Sequence, residues 1–162
     1  MPLLSDSFVQ AIEADYAALW LSNADAGGQP DVVRLLAVRV EPDREHLTAL
    51  VPLPQGQGVL DNLAVTPRLS FLFALILGNR SYQIKGAYVS YHPCTEAEVA
   101  FGRDSLTRFS QVLVGQGFSP EKAFAAYFSP SGVALTMRIE EIYEQTPRPG
   151  TGGKVTFTTP CV

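Results

Sequence analysis

Arg80-Ser81-Tyr82-Gln83-Ile84-Lys85-Gly86-Ala87-Tyr88-Val89-Ser90-Tyr91 is the stretch of this chain that decides its fold. Hydrophobic Tyr82 and Ile84 alternate with polar Ser81, Gln83 and Lys85. That is the period of a half-buried β-strand, and it places Gln83 and Lys85 on one face. Gly86 inside such a strand marks a bulge or a close approach by another backbone. Just upstream, residues 69–77 are apolar apart from Ser70, and Gly78-Asn79 turns the chain from that run into the next. A strand apolar on both faces does not suit a solvated sheet edge. It belongs in a closed barrel beneath other elements, or its outer face meets another subunit.

The remaining segments supply the neighbours. Phe8, Ile12, Tyr16 and Leu19 recur at helical spacing behind Ser5 or Asp6 as N-cap, so the chain opens on an amphipathic helix that gives way to a strand near Leu19-Trp20-Leu21. Asp25-Ala26-Gly27-Gly28 predicts a tight turn into an antiparallel strand over residues 31–40. Glu41-Pro42-Asp43-Arg44 makes a second turn, into a strand over residues 46–51. After the Pro/Gly-rich residues 52–58, Val59, Leu60 and Leu63 suggest a short helix, stopped at Thr66-Pro67. Thr95 with Glu98 three residues on is a capping box. It opens a helix through Val99, Leu106, Phe109 and Leu113 that ends near Gly115 or Gly117. Ser119-Pro120 starts a second helix through Phe124 and Tyr127. The last strand alternates Leu135, Met137 and Ile139 and changes register at Glu141-Ile142; from Thr146 onward the composition predicts an irregular tail.

The expected fold is therefore mainly β with peripheral helices: six antiparallel strands closing into a barrel, which removes exposed edges. The expected organisation is one domain over residues 1–162, with an N-terminal helix in 1–18, a helical pair in 95–128 and an irregular tail in 146–162.

Composition narrows the function. A net charge of −4, with 12 scattered Lys and Arg, argues against a nucleic-acid surface. No apolar run is long enough to span a bilayer, and the first residues lack a basic n-region followed by an apolar core, so neither a membrane span nor a signal peptide is expected. Cys94 and Cys161 form no CxxC. They read as reduced, consistent with a cytoplasmic protein without a metal site. His46 and His92 lack ligand-spaced partners and read as structural. No Ser/His/Asp or Cys/His constellation or carboxylate pair stands out, so any redox chemistry belongs to a cofactor.

Four segments in order resemble the flavin-binding split β-barrel family related to pyridoxamine 5'-phosphate oxidase. They are Leu19-Trp20-Leu21-Ser22-Asn23-Ala24-Asp25-Ala26-Gly27-Gly28-Gln29-Pro30, residues 56–63 with Thr66-Pro67-Arg68-Leu69-Ser70-Phe71, the Arg80-to-Gly86 strand, and Gln145-Thr146-Pro147-Arg148-Pro149-Gly150-Thr151-Gly152. The resemblance implies a six-stranded split barrel, a homodimer with FMN at the subunit interface, and an oxidoreductase acting on an unidentified small substrate. It implies cofactor contacts from Arg34, Leu35, Val51, Gln57, Gly58, Gln83 and Lys85. The chain departs from the family pattern at Gln57-Gly58-Val59, where members usually carry a serine and a lysine or arginine for the flavin phosphate. Arg34 and the free N–H groups of the glycine-rich helix start are the available substitutes. Two other readings stay open: a non-catalytic flavin- or haem-binding barrel, and a dimeric module without cofactor.

Overall fold

The computed structural model describes residues 4–120 and 129–156. Helix α1 (Asp6–Ile12) is capped by Ser5, whose hydroxyl accepts from the Phe8 N–H. It is shorter than the periodicity suggests, because Tyr16 and Leu19 already lead into strand β1 (Ala17–Ala24). The chain continues through β2 (Pro30–Arg34), β3 (Ala37–Val40), β4 (His46–Pro52), α2 (Gln57–Asn62), β5 (Arg68–Leu75), β6 (Arg80–Pro93), α3 (Glu96–Gly115), β7 (Gly132–Glu144) and β8 (Lys154–Val155). The sheet runs β2-β1-β5-β6-β7-β4-β3 with every pairing antiparallel, and β8 pairs with β7.

The strand expected over residues 31–40 is cut at Leu35–Leu36, so six strands become seven along this order, with β8 in addition. The cut has a physical reason. The Leu35 N–H donates to Leu19 O of β1, and the next N–H, of Leu36, donates to Leu50 O of β4. The ribbon thus changes partner at that point and joins the two ends of the sheet order. A sheet that curls shut needs a bend where one strand serves both halves.

Alternation along β5 directs Leu69, Phe71, Phe73 and Leu75 inward and leaves Ser70, Leu72 and Ala74 half-buried on the outer face. Phe71, Phe73, Tyr82 and Phe8 form a chain of ring contacts at centroid distances of 5.9, 5.4 and 5.3 Å, so α1 is held against the barrel core through Phe8. The glycine in β6 does both things expected of it. Register slips between Lys85 and Gly86, with Glu140 as the extra residue on β7. A Cβ at Gly86 would lie 1.9 Å from Arg138 O.

The Thr95–Glu98 capping box is complete, and α3 buries Leu106 and Phe109. The helix expected after Ser119-Pro120 falls largely on residues 121–128, outside the described residues. The segment expected to be irregular from Thr146 onward contains β8. Its connection turns back through Gly150 and Gly152, both at positive φ, and the Gly152 N–H donates to Glu144 O at 2.8 Å. Among the described residues no helix is long and apolar enough to cross a membrane.

Candidate functional site

Cross-strand register assembles a row that no single segment displays. Arg34 of β2 pairs with Trp20 of β1, Trp20 with Leu72 of β5, Leu72 with Gln83 of β6, and Gln83 with Tyr143 of β7. All five side chains lie on the outer face and are half-buried. The neighbouring row holds Val32, Ser22, Ser70, Lys85 and Glu141. Gln83 and Lys85 therefore share the face expected of them, and Arg34 stands three strands away in the Gln83 row.

Gln83 is fixed at both ends of its carboxamide. Its Nε2 donates to Ser70 Oγ at 2.7 Å, and its Oε1 accepts from Gln145 Nε2 at 3.2 Å. The Lys85 ammonium sits 4.7 Å from the Tyr143 ring centroid. The Tyr143 hydroxyl donates to Glu141, which also accepts from Lys154 Nζ. The Lys154 and Tyr143 hydrogen bonds hold the Glu141 carboxyl below its ordinary range. The bond to Glu141 raises the Tyr143 phenol, so the ring stays neutral.

Arg34 has a different character. Its Nη1 donates to Leu19 O at 2.8 Å and to Leu35 O at 3.4 Å, and its guanidinium lies over the Trp20 and Phe109 rings at 5.3 and 4.7 Å. It clips β1, β2 and α3 together at a cleft of about 300 Å3 that Glu13, Asp15 and Arg108 also line. Three guanidiniums, Arg34, Arg39 and Arg108, line it against Glu13 and Asp15, but Arg108 is paired with Asp15 and Arg39 with Glu41, so these charges are largely met within the chain.

The other expected contacts do not join this face. Leu35 and Val51 are 1% and 0% exposed and belong to the core, because the ribbon's bend and the β4–β7 pairing turn them inward. Gln57, on the exposed side of α2, donates to Asp61. At Gly58 a Cβ would lie 2.8 Å from Asp31 Oδ1, so a carboxylate of the chain's own stands at the start of α2. Asn62 Nδ2 donates to that carboxylate at 2.8 Å and to Asn23 Oδ1 at 3.1 Å, while Asn23 Nδ2 donates to Val59 O. At the glycine-rich helix start the Asp31 carboxylate thus stands beside Gly58, and the Gly56 and Gln57 N–H groups donate to Pro52 O and Pro54 O. Both histidines are engaged locally, His46 with Asp43 at 2.7 Å and His92 with Glu98 at 3.1 Å.

No family model matches the sequence, and no curated protein matches it. Solved structures do. A pyridoxamine 5'-phosphate oxidase candidate from Lactobacillus delbrueckii superimposes with a TM-score of 0.54 at 16% identity, over 87% of this chain and 93% of that one. An FMN-binding protein from Syntrophomonas wolfei gives 0.56 at 12% identity, over 88% and 86%. An F420 reductase gives 0.51 at 13%, over 82% and 94%. The chain has the split-barrel fold. At these identities the shared property is architecture, and the resemblance read from the four sequence segments holds at that level.

Sequence reasoning passed over Trp20, Ser22, Ser70, Leu72 and Tyr143 as members of this split-barrel face. The signal was present in the alternation of Leu19-Trp20-Leu21-Ser22 and in Ser70 as the lone polar residue of an apolar run. Reading it requires the register between strands 48 residues apart, Ser22 against Ser70.

Proposed function

We propose that this protein binds FMN on the outer face of β1, β5, β6 and β7, in a homodimer that uses this face as its interface, and acts as an oxidoreductase on a small substrate. The observation that carries this reading is the clamped carboxamide of Gln83 within a half-buried row containing Trp20, Leu72 and Tyr143. It offers a planar ring apolar surface together with one oriented polar group. Leu72 and Val32, the latter 66% exposed, lie on the same face and suit coverage by a second copy. The fold shared with the FMN-binding protein of Syntrophomonas wolfei adds support.

Bound FMN would supply electron or hydride transfer, and the protein would position it and set its electrostatics. Gln83 would orient the ring edge, Trp20 and Leu72 would exclude water from it, and Lys85 would offset negative charge nearby. The experiment is titration of the purified protein with FMN, followed by flavin absorbance and fluorescence. Saturable binding is expected, weakened roughly two- to tenfold by Gln83→Ala through the loss of a neutral hydrogen bond. A protein that retains no flavin and binds none at micromolar concentration overturns the reading in favour of a cofactor-free module.

A further inference from the structure

The lining of a second groove indicates where a phosphate would go once Gly58 is excluded. Beside the Gln83 row lies an open groove of about 310 Å3 lined by Ser22, Asn23, Ala24, Thr66, Arg68, Leu69, Ser70 and Lys85. We propose that this groove binds a phosphate monoester through the Ser22, Ser70 and Thr66 hydroxyls and the Lys85 and Arg68 cations. For the identity of the monoester, FMN, the proposal rests on the flavin reading; for the existence of the anion site it does not.

Three observations carry it. First, register fixes the donors. Ser22 pairs with Ser70 and Ser70 with Lys85, so these three residues stand in one lateral row at the inter-strand spacing of about 4.8 Å, with the Ser22 hydroxyl in a long 3.4 Å bond to Ser70 O that a phosphate oxygen would replace. Arg68 lies two residues from Ser70 on the same strand and therefore on the same face. Second, the hydroxyl of Ser70 accepts from Gln83 Nε2. Its own proton is left to donate, since a hydroxyl carries one donor beside its acceptor lone pairs.

Third, the charge is one-sided. Among the described residues no carboxylate lines the groove. Lys85 rests on the Tyr143 ring and forms no ion pair with a described residue, while Glu141 is taken by Lys154. Glu140 is shared between Arg68 and Arg138, so two guanidiniums meet one negative charge. The groove keeps net positive charge, whereas at the start of α2 the Asp31 carboxylate stands beside Gly58. Charged donors to phosphate are the strong class of hydrogen bond, and several converging on one group give it selectivity over a neutral hydroxyl.

The test has two arms on the full-length protein. In the first, phenyl phosphate is titrated by 31P NMR and calorimetry against wild type, Lys85→Met, Lys85→Arg and Arg68→Gln, with circular dichroism confirming the fold of each. Saturable binding is expected, weakened about tenfold or more by Lys85→Met, weakened by Arg68→Gln, and largely kept by Lys85→Arg, from the usual strength of charge-assisted bonds. No binding by wild type, or binding indifferent to both Lys85→Met and Arg68→Gln, overturns the proposal. In the second arm FMN and riboflavin are compared. A preference for FMN that disappears in Lys85→Met assigns the groove to the flavin phosphate. Phenyl phosphate binding with no flavin binding supports the groove as the site of another phosphorylated small molecule, and it is the flavin reading that fails. An FMN preference unchanged in both variants places the phosphate elsewhere and overturns the assignment.

Discussion

Gly86→Ala puts the tightest backbone contact of the barrel to the test. A Cβ at residue 86 would meet Arg138 O at 1.9 Å, the Arg138 carbonyl carbon at 3.0 Å and Met137 Cε at 2.8 Å. The methionine can swing away, but the carbonyl cannot. Arg138 is paired on both sides, with Ala87 of β6 and His46 of β4, so β7 is clamped at that level. Relieving the clash to about 3.0 Å requires a movement of about 1.1 Å across a doubly paired strand. Forcing extra volume into a packed site typically costs about 1–3 kcal/mol. Losing one or two ladder hydrogen bonds adds about 1 kcal/mol each. We expect a loss of about 2–5 kcal/mol, a melting shift of about 4–20 °C for a chain of this size.

Gly115 is the control. It ends α3, and a Cβ there meets nothing within 4 Å. Gly115→Ala should be neutral or stabilise by up to about 1 kcal/mol, because alanine loses less conformational freedom in a helix. Urea unfolding followed by circular dichroism, with slopes compared, measures both. A Gly86→Ala protein within about 1 kcal/mol of wild type and with an unchanged slope would refute the reasoning about β7, and with it the geometry that aims Lys85 outward.

Two further outcomes follow from the same geometry. Leu72→Asp should turn a wild-type dimer into a folded monomer in sedimentation, whereas Phe71→Asp, at a position 0% exposed, should unfold the chain by burying an unpaired charge; a wild-type monomer, or a dimer that survives Leu72→Asp, removes the interface from this face. Burial alone would raise the Glu98 carboxyl, but hydrogen bonds from the Thr95 N–H, the Thr95 hydroxyl and His92 outweigh it and hold the group below its ordinary 4.5. A depressed carboxylate contributes stability that is complete above its unfolded value and is lost as pH falls through the folded one. Glu98→Gln should therefore flatten the loss of stability below about pH 4.5, and an unchanged slope in urea melts over that range would count against the capping box as its source.

Local pattern was enough to read most of the elements. Alternation in residues 80–85 announced β6 and its two faces. Gly86 announced the bulge, and Thr95 with Glu98 announced the start of α3. These features depend on neighbours within a few residues, where side-chain period and capping chemistry act directly. The six-strand count failed at Leu35–Leu36 because nothing local distinguishes a strand that bends between two partners from one that runs straight. The tail failed at Lys154–Val155 because two residues of strand depend on a vacant stretch of β7 and not on their own propensity.

The candidate site divides in the same way. Its donors were visible as residues, and Gln83 and Lys85 were placed on one face by periodicity alone. Which other side chains stand beside them was decided by the register of β1 on β5 and of β5 on β6, which brings Ser22 and Ser70 to Lys85 across long stretches of chain. Tertiary packing also decided where the other residues that the family pattern implies stand. It buried Leu35 and Val51, tied Arg34 to backbone carbonyls, and laid Asp31 against Gly58. A sequence determines which chemical groups exist and which face of their own element they occupy. Only the folded sheet decides which groups converge, because convergence here depends on inter-strand pairing that is set by burial of the whole core.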